Sequence, residues 1–174
     1  MIYKNLGDII KFTAGKNTSR LENLSEDVLY TQNDFEDDLQ GINENLGSGC
    51  IVNLIRSKAA PLTQSTVSKC LTTNFLLCEF NTNELDTWYF CYLFNESKEV
   101  QQQLNKLFQG NTLSVRKLTI KNIGELKIKV LDIHKQRVIG QLYREAIRKT
   151  YLMQRQVDNI SKLTKEAIRK IEED

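Results

Sequence analysis

The sequence has very little of the chemistry on which most enzymes and metal proteins depend. Among its 174 residues there are one proline, one histidine and four cysteines. No two cysteines form a CxxC pair, and a single histidine cannot complete a zinc site with cysteines this far apart. We therefore expect buried, reduced thiols, most of them within apolar segments. The four cysteines are Cys50, Cys70, Cys78 and Cys91.

Motifs for phosphate, cofactor and calcium binding are missing as well. Three glycines lie between Gly41 and Gly49, but no Lys-Ser or Lys-Thr follows them and no GxGxxG is formed. We interpret residues 47–49 as a turn. The acidic cluster 34–38 lacks the spaced ligands of a calcium loop, so we interpret it as a solvated loop.

Catalytic groups are equally scarce. A DNA methyltransferase would need a proline-aromatic catalytic loop, which a chain with one proline cannot supply. His134 has no serine or cysteine near it in a recognisable nucleophile motif. The sequence therefore predicts a protein that is not an enzyme and that binds neither a metal nor a cofactor.

Long apolar runs and export signals are absent too. No apolar run approaches the roughly 20 residues that a membrane-spanning helix needs. The N-terminus lacks the basic, apolar and small-residue pattern of a signal peptide. With 40% hydrophobic and 26% charged residues, the composition is typical of a globular domain. We expect a cytoplasmic protein that does not bind membranes.

Charge is nearly balanced overall but is unevenly distributed. The formal net charge is +2. Residues 21–55 contain eight acidic and no basic residues, whereas residues 135–174 contain ten basic and six acidic residues. Because the acidic stretch would repel phosphate, any DNA-binding face must lie elsewhere.

Apolar runs and turn signals predict an α+β fold, with one mixed α/β domain over residues 1–132. Strands are expected at residues 9–13, 50–55, 74–80 and 126–130. Helices are expected at residues 85–94 and 98–108, with an interruption at Asn95. Pro61 marks a loop or the edge of a sheet.

Residues 133–174 differ in kind and predict one long coiled-coil helix. From Lys135 to Glu172 there is no proline, and Gly140 is the only glycine. Apolar or small residues recur in alternating steps of four and three, the spacing of a coiled-coil seam. The ten seam residues are Ile139, Tyr143, Ala146, Thr150, Met153, Val157, Ile160, Thr164, Ala167 and Ile171.

This seam needs another long helix as a partner. A helix of this span is about 55 Å long, too long to be covered by a domain with a radius of gyration of about 14 Å. Since the sequence contains no second long helix, we expect a homodimer in which the ten residues form the interface. The alternative is a long helix that folds back on its own domain.

Polar and basic residues recur in three predicted loops and are suited to contact double-stranded DNA. Arg and Lys pair with guanine edges, Asn and Gln with adenine, and Ser and Thr with phosphates. Any one of these clusters alone is also typical of a solvated loop. The candidate DNA-binding residues are Lys16, Asn17, Thr18, Ser19, Arg20, Arg56, Ser57, Lys58, Gln64, Ser65, Lys69, Gln109, Asn111, Thr112, Arg116 and Lys117.

Several short segments resemble the specificity (S) subunit of type I restriction-modification systems, in a half-length form. Residues 6–16, LGDIIKFTAGK, resemble the entry into a target recognition domain, and residues 108–114, FQGNTLS, resemble a segment near its end. Residues 123–130, IGELKIKV, are similar to the strand before the long spacer helix. That helix would start within residues 133–139, where Lys135-Gln136 replaces the family's usual Glu-Gln pair.

The resemblance implies a non-catalytic protein that recognises DNA. A full-length S subunit carries two target recognition domains, each reading half of a split target, and two long helices that pack antiparallel and set their spacing. It scaffolds DNA methyltransferase (M) subunits and, through them, restriction (R) subunits. Here residues 1–132 would be one target recognition domain and residues 133–174 the spacer and dimerisation helix. A homodimer would then read a split palindromic site.

A second hypothesis keeps the family resemblance but assigns no DNA binding to the chain itself. The chain could pair with a full-length S subunit or its partners, and modify or block assembly without binding DNA itself. This alternative is favoured by the acidic segment 22–44. It is also favoured by the absence of the prolines that the family usually has around the strand before the long helix.

Overall fold

The structure, a computed structural model, describes residues 2–17, 28–109 and 117–173, and it confirms the expected α+β fold with one long C-terminal helix. The strands are β1 (Ile2–Asn5), β2 (Lys11–Ala14), β3 (Leu46–Asn53), β4 (Lys58–Thr63), β5 (Phe75–Glu79) and β6 (Lys127–Val130). The helices are α1 (Gln32–Leu39), α2 (Thr87–Glu96), α3 (Lys98–Gln109), α4 (Ile120–Gly124) and α5 (Ile133–Glu173). No helix within these ranges is long and apolar enough to cross a membrane.

Four antiparallel strands form the main sheet in the order β2-β5-β3-β4. Strands β2, β5 and β3 correspond to three of the predicted strands. Pro61 lies in β4, an outer strand, as expected for a residue that cannot donate to a hydrogen-bond ladder. The fourth predicted strand is β6, which pairs with β1 in a separate two-stranded sheet. This pairing brings the N-terminal segment next to the chain that enters α5.

The turn predicted at residues 47–49 is wrong, because these residues lie inside β3. The pairing of β3 with β4 is irregular between Leu46 and Cys50. Gly49 has a φ of +139°, and a Cβ there would overlap the carbonyl oxygen of Cys78 on β5. The glycines therefore allow a bulge and a close approach between strands, and they do not end the strand.

The acidic cluster at residues 34–38 is a helix and not the solvated loop that we expected. Helix α1 begins with a capping box, in which Thr31 and Asp34 each accept a hydrogen bond from the backbone of the other. Asp38 is buried, with 3% of its surface exposed. Its carboxylate accepts hydrogen bonds from the hydroxyls of Tyr30 (2.9 Å), Thr63 (2.7 Å) and Thr66 (2.9 Å). Burial raises the pKa of Asp38 above its usual value.

Helix α2 forms the centre of the core, between the main sheet and α5. Eight of its ten residues are buried, so it is covered on nearly all sides. Three of the four cysteines, Cys50, Cys78 and Cys91, are fully buried here, as predicted, and all four are free thiols. Burial raises the pKa values of the Cys50 and Cys78 thiols, which keeps them protonated and unreactive.

The break between α2 and α3 falls at Ser97, two residues after the predicted interruption. Asn95 itself lies in α2, and its buried amide binds the backbone of the outer strand β4. Its Oδ1 accepts from the Ala59 amide nitrogen at 2.7 Å, and its Nδ2 donates to the Ala59 carbonyl oxygen at 2.8 Å. Nδ2 also donates to the Tyr143 hydroxyl at 3.2 Å. Asn95 therefore joins β4, α2 and α5.

The first half of α5 lies on the domain, and the second half leaves it. Gln136 and Gly140 are buried, and Ile139, Tyr143 and Ile147 pack against the core. Every residue from 152 to 173 is exposed. The alternative of a helix folded back on its own domain therefore holds for the first half alone, and none of the described domain residues covers the second half.

Two residues fix the start of α5 against α2. The Gln136 side chain accepts a hydrogen bond from the Asp86 amide nitrogen at 2.9 Å. It also donates to the carbonyl oxygens of Glu84 and Leu131, at 2.9 and 2.8 Å. Gly140 lies so close to α2 that a Cβ there would overlap the Asp86 carboxylate. Close packing thus explains the single glycine of the helix.

Candidate nucleic-acid interface

The strand register brings three connecting segments, two of them with candidate residues, to one end of the main sheet. Ala14, the last residue of β2, lies opposite Leu76 near the start of β5. Asn53, the last residue of β3, lies opposite Phe75, the first residue of β5, and opposite the first residue of β4. The segments that begin at Gly15, follow Asn53 and precede Phe75 therefore meet at this end.

The chain that leads into α4 reaches the same place. The amide nitrogen of Leu54 donates to the carbonyl oxygen of Asn74, and that of Leu118 donates to the carbonyl oxygen of Leu54, both at 2.9 Å. We call this region the basic end of the sheet. It contains Lys16, Asn17, Arg56, Ser57, Lys58, Asn74 and Lys117.

Two lysines at the basic end have no acidic partner in the part of the chain that the structure describes. Lys16 and Lys117 are exposed, and neither has an acidic side chain within 4.0 Å among the described residues. The Lys117 ammonium donates to Oδ1 of Asn74 at 3.4 Å, a neutral partner. Because no carboxylate of the described residues neutralises these two exposed charges, they suit an anionic ligand such as a phosphate backbone.

The other two cations at this end are held by the protein. The Arg56 guanidinium donates to the Glu36 carboxylate at 2.8 Å, and both side chains are about half exposed. Lys58 donates to the carbonyl oxygen of Asn95 at 3.0 Å and lies 3.6 Å from the Glu96 carboxylate. Since Asn95 lies in the last turn of α2, Lys58 satisfies a carbonyl group at the helix end and has a structural role.

The candidate residues between 64 and 69 add no free charge to the basic end, although Lys69 lines a cavity together with Lys16. Gln64 and Ser65 follow the opposite end of β4. Lys69 is paired with Asp34 at 2.7 Å, and both side chains are largely covered. Although burial opposes it, the hydrogen bonds from Lys69 and Thr31 lower the pKa of Asp34. A cavity of about 510 Å³ next to Lys69 is lined by three aspartates, 34, 37 and 38. This acidic environment is poorly suited to binding a phosphate group.

Seven of the sixteen candidates cannot be located in this arrangement. Their side chains lie outside the described residues, although Gln109 is the last residue of α3. The seven are Thr18, Ser19, Arg20, Gln109, Asn111, Thr112 and Arg116.

Three polar residues near Arg56 are not among the candidates from the sequence. Gln32, Asn53 and Asn74 line a cavity of about 320 Å³ beside Arg56. Asn53 is buried, and its Nδ2 donates to Oε1 of Gln32 at 2.8 Å. The sequence contained one indication of these residues. Asn53 and Asn74 are amides at the ends of buried strands, where polar side chains are often positioned for binding.

The seam of α5 divides into two parts. Ile139 and Tyr143 pack against their own domain, while the other eight seam residues are exposed. We call these eight residues, together with the exposed Val138, Leu142 and Leu163, the exposed stripe. The last three were not among the predicted seam residues. With 3.6 residues per turn, the centre of the stripe lies roughly a third of a turn from the face that contacts the domain. The helix therefore has a second apolar face that its own domain leaves uncovered.

An apolar groove of about 430 Å³ lies where α5 leaves the domain, beside α1. It is lined mainly by Leu39, Ala146, Ile147, Thr150 and Tyr151. Ala146 and Thr150 belong to the exposed stripe, so the groove and the stripe form one continuous apolar surface.

Known proteins match this chain in structure and not in sequence. No protein-family model and no curated protein matches the sequence. The chain is similar to the HsdS subunit from Thermoanaerobacter tengcongensis, with 12% identity and a TM-score of 0.54, over 90% of this chain and 39% of that one. It is also similar to a chain in a structure of the type I restriction-modification system that concerns complex assembly and conformational transition. There the identity is 9% and the TM-score 0.62, over 94% of this chain and 43% of the other.

These likenesses concern the fold, since the identities are very low. The chain spans about two fifths of the length of each of the two proteins. It therefore has the fold of one section, a mixed domain followed by a single long helix, of a type I restriction-modification specificity subunit.

Proposed function

We propose that the chain is a DNA-recognition unit of a type I restriction-modification complex and has no catalytic role. Residues 1–132 would form one target recognition domain, and residues 133–174 the spacer and dimerisation helix. In the cytoplasm it would bind double-stranded DNA and scaffold M subunits and, through them, R subunits. The observation that carries this proposal is the uncovered apolar stripe of α5 on a fold of this kind.

The stripe supports a partner that is a second copy of this chain. Its central side chains, Met153, Val157 and Ile160, are each more than half exposed. An isolated helix with such a face is marginal in water, and packing against another helix removes the apolar surface from solvent. Two copies would together equal about four fifths of the length of either structural neighbour.

A homodimer of this kind would have two-fold symmetry. Each domain is fastened to its own helix by Gln136 and Asn95, so pairing of the helices would fix the spacing of the two domains. Two identical readers related by a two-fold axis match a target with two identical, inverted half-sites. We infer a split palindromic site on this basis.

The first prediction concerns the mass of the purified chain. We expect light scattering at micromolar concentration to give twice the chain mass of 20.1 kDa. The reason is that each stripe removes the apolar face of the other from water. A mass of 20.1 kDa across this range would contradict the homodimer and leave the fold unaffected.

The second prediction concerns the basic end of the sheet. Replacing Lys16 or Lys117 by alanine should weaken binding to every DNA duplex by a similar factor. It should also lower the slope of log affinity against log salt by about 1 for each lysine. Fluorescence anisotropy over a salt series measures both quantities.

Lys11 provides the matched control for these two substitutions. Lys11 is the first residue of β2, the strand that leads to Lys16. It therefore lies at the end of the sheet opposite the basic end, across from Glu79. Lys11→Ala should therefore leave the salt slope unchanged. If the salt slopes of all three variants equal that of the wild type, the basic end does not bind phosphates.

A second candidate function is a regulatory partner of a full-length specificity subunit that does not bind DNA alone. The observation that favours it is the acidic helix α1, whose carboxylates already hold Lys69 and Arg56. A gel shift with the lone chain, with and without methyltransferase subunits, separates the two. If the lone chain shifts no DNA, and adding the methyltransferase subunits without a full-length specificity subunit produces no shift either, the regulatory role is supported.

A further inference from the structure

A line of hydrogen-bonded side chains runs from the core to the surface at the basic end of the sheet. It begins at Asn53, which is 3% exposed. Its Oδ1 accepts from the amide nitrogens of Ile55 and Arg56 at 3.1 and 3.0 Å, which fixes the turn after β3. Its Nδ2 donates to Oε1 of Gln32 at 2.8 Å. The buried amide thus positions both the backbone of Arg56 and the side chain of Gln32.

The same line continues to the guanidinium of Arg56. Nε2 of Gln32 donates to Oε1 of Glu36 at 3.2 Å. Nη1 of Arg56 donates to that same oxygen at 2.8 Å. Glu36 therefore holds Arg56 from one side, while Gln32 limits the positions that Glu36 can take. An arginine held in this way loses less side-chain freedom when it binds a ligand than a free lysine does.

We propose that Arg56 reads a guanine edge in the DNA target, and that Glu36, Gln32 and Asn53 are positioning residues for it. This inference rests on the proposed function and assigns roles within it. The Arg56–Glu36 pair has almost no net charge, so it gains little from phosphates, whose attraction depends on net positive charge. A planar, oriented guanidinium instead matches the O6 and N7 acceptors of guanine.

The surroundings of Arg56 support a division of roles at this end of the sheet. Lys16 and Lys117 carry unpaired charges among the described residues and suit phosphates. Arg56 stands beside a cavity of about 320 Å³ that leaves room for a base edge. Its lining includes the amide side chains of Gln32, Asn53 and Asn74 as well as apolar residues such as Ile55 and Phe75. Phosphate contacts set the position of a protein on DNA, and base contacts set the sequence that it reads.

Selection of bound duplexes from a randomised pool, by the full chain and its variants, tests this assignment. Arg56→Lys keeps the positive charge but replaces the planar guanidinium, which Glu36 holds in one orientation, by a mobile ammonium group that selects guanine less strongly. We expect it to lose its preference for guanine at one position of each half-site by about tenfold or more, with other positions and the salt slope unchanged. Lys117→Ala, the control, should reduce affinity for all sequences and select the same motif.

A positioning role for Glu36 has its own readout. Glu36→Ala should weaken the same guanine preference by several-fold while the protein keeps its fold, and Glu36→Gln, which retains an acceptor oxygen, should restore most of it. If Arg56→Lys selects the wild-type motif, or lowers affinity equally for all sequences as Lys117→Ala does, the assignment is overturned and the proposed function survives. If the wild-type chain selects no motif, the proposed function fails, and this assignment with it.

Discussion

Gly140→Ala is expected to lower the free energy of unfolding by about 2 to 3 kcal/mol, although alanine is the better helix former by about 1 kcal/mol. A Cβ at this position would overlap the Asp86 carboxylate and lie 2.8 Å from the Tyr89 amide nitrogen. Asp86 caps α2 by accepting from that same nitrogen at 2.8 Å. The methyl group would therefore either displace the cap or push α5 away from α2.

Gly124→Ala is the matched control for this substitution. Gly124 is the last residue of α4, and the nearest atom to an added Cβ would be 3.7 Å away, an ordinary contact. Chemical denaturation at equal protein concentration compares the two variants, since the stability of a dimer depends on concentration. A Gly140→Ala protein as stable as the wild type would mean that α5 does not pack closely on α2.

Ile160→Lys is expected to separate the dimer, raising its dissociation constant by at least about a hundredfold. By symmetry each dimer would bury two ammonium groups without partners, and removing charges from water is costly. Lysine is at least as good a helix former as isoleucine, so the intrinsic stability of the helix is preserved. Ile160 lies in the exposed second half of α5, with 57% of its surface exposed, and the domain should keep its fold. Sedimentation equilibrium gives the dissociation constant directly.

Gln154→Lys adds the same charge on another face of the same helix. Gln154 donates to Asp158 at 3.0 Å, on the polar side, and its replacement should leave the dimer intact. The two variants also separate the steps of DNA binding. Loss of the dimer should reduce affinity for a site with two half-sites far more than for a single half-site, because the second contact is no longer intramolecular. Equal losses for both substitutions would place the interface elsewhere.

The sequence was most informative where one local pattern decides the structure. Buried apolar runs predicted β3 and β5, and the 3-4 spacing without proline predicted α5. It was misleading where distant residues decide. Asp38 looks like a surface carboxylate until the hydroxyls of Tyr30, Thr63 and Thr66 surround it.

The seam and the site illustrate the same limit. The two apolar faces of α5 are only about a third of a turn apart, so the alternating steps of four and three selected residues from both. The predicted seam therefore included Tyr143, which packs on the domain, and left out the exposed Leu142. The positioning of Arg56 could not be predicted either. Gln32, Asn53 and Arg56 meet only because α1 packs beside the end of β3, and no local spacing encodes that contact.

The amide of Asn95 has one more consequence, for the behaviour of the chain when its helix lacks a partner. An outer strand with free backbone groups invites the strands of other molecules to add to it, which leads to aggregation. On β4, Asn95 already occupies both backbone groups of Ala59, and Pro61 two residues later has no N–H to offer. In the Ile160→Lys monomer, the β4 edge of the main sheet should therefore not add strands from other molecules.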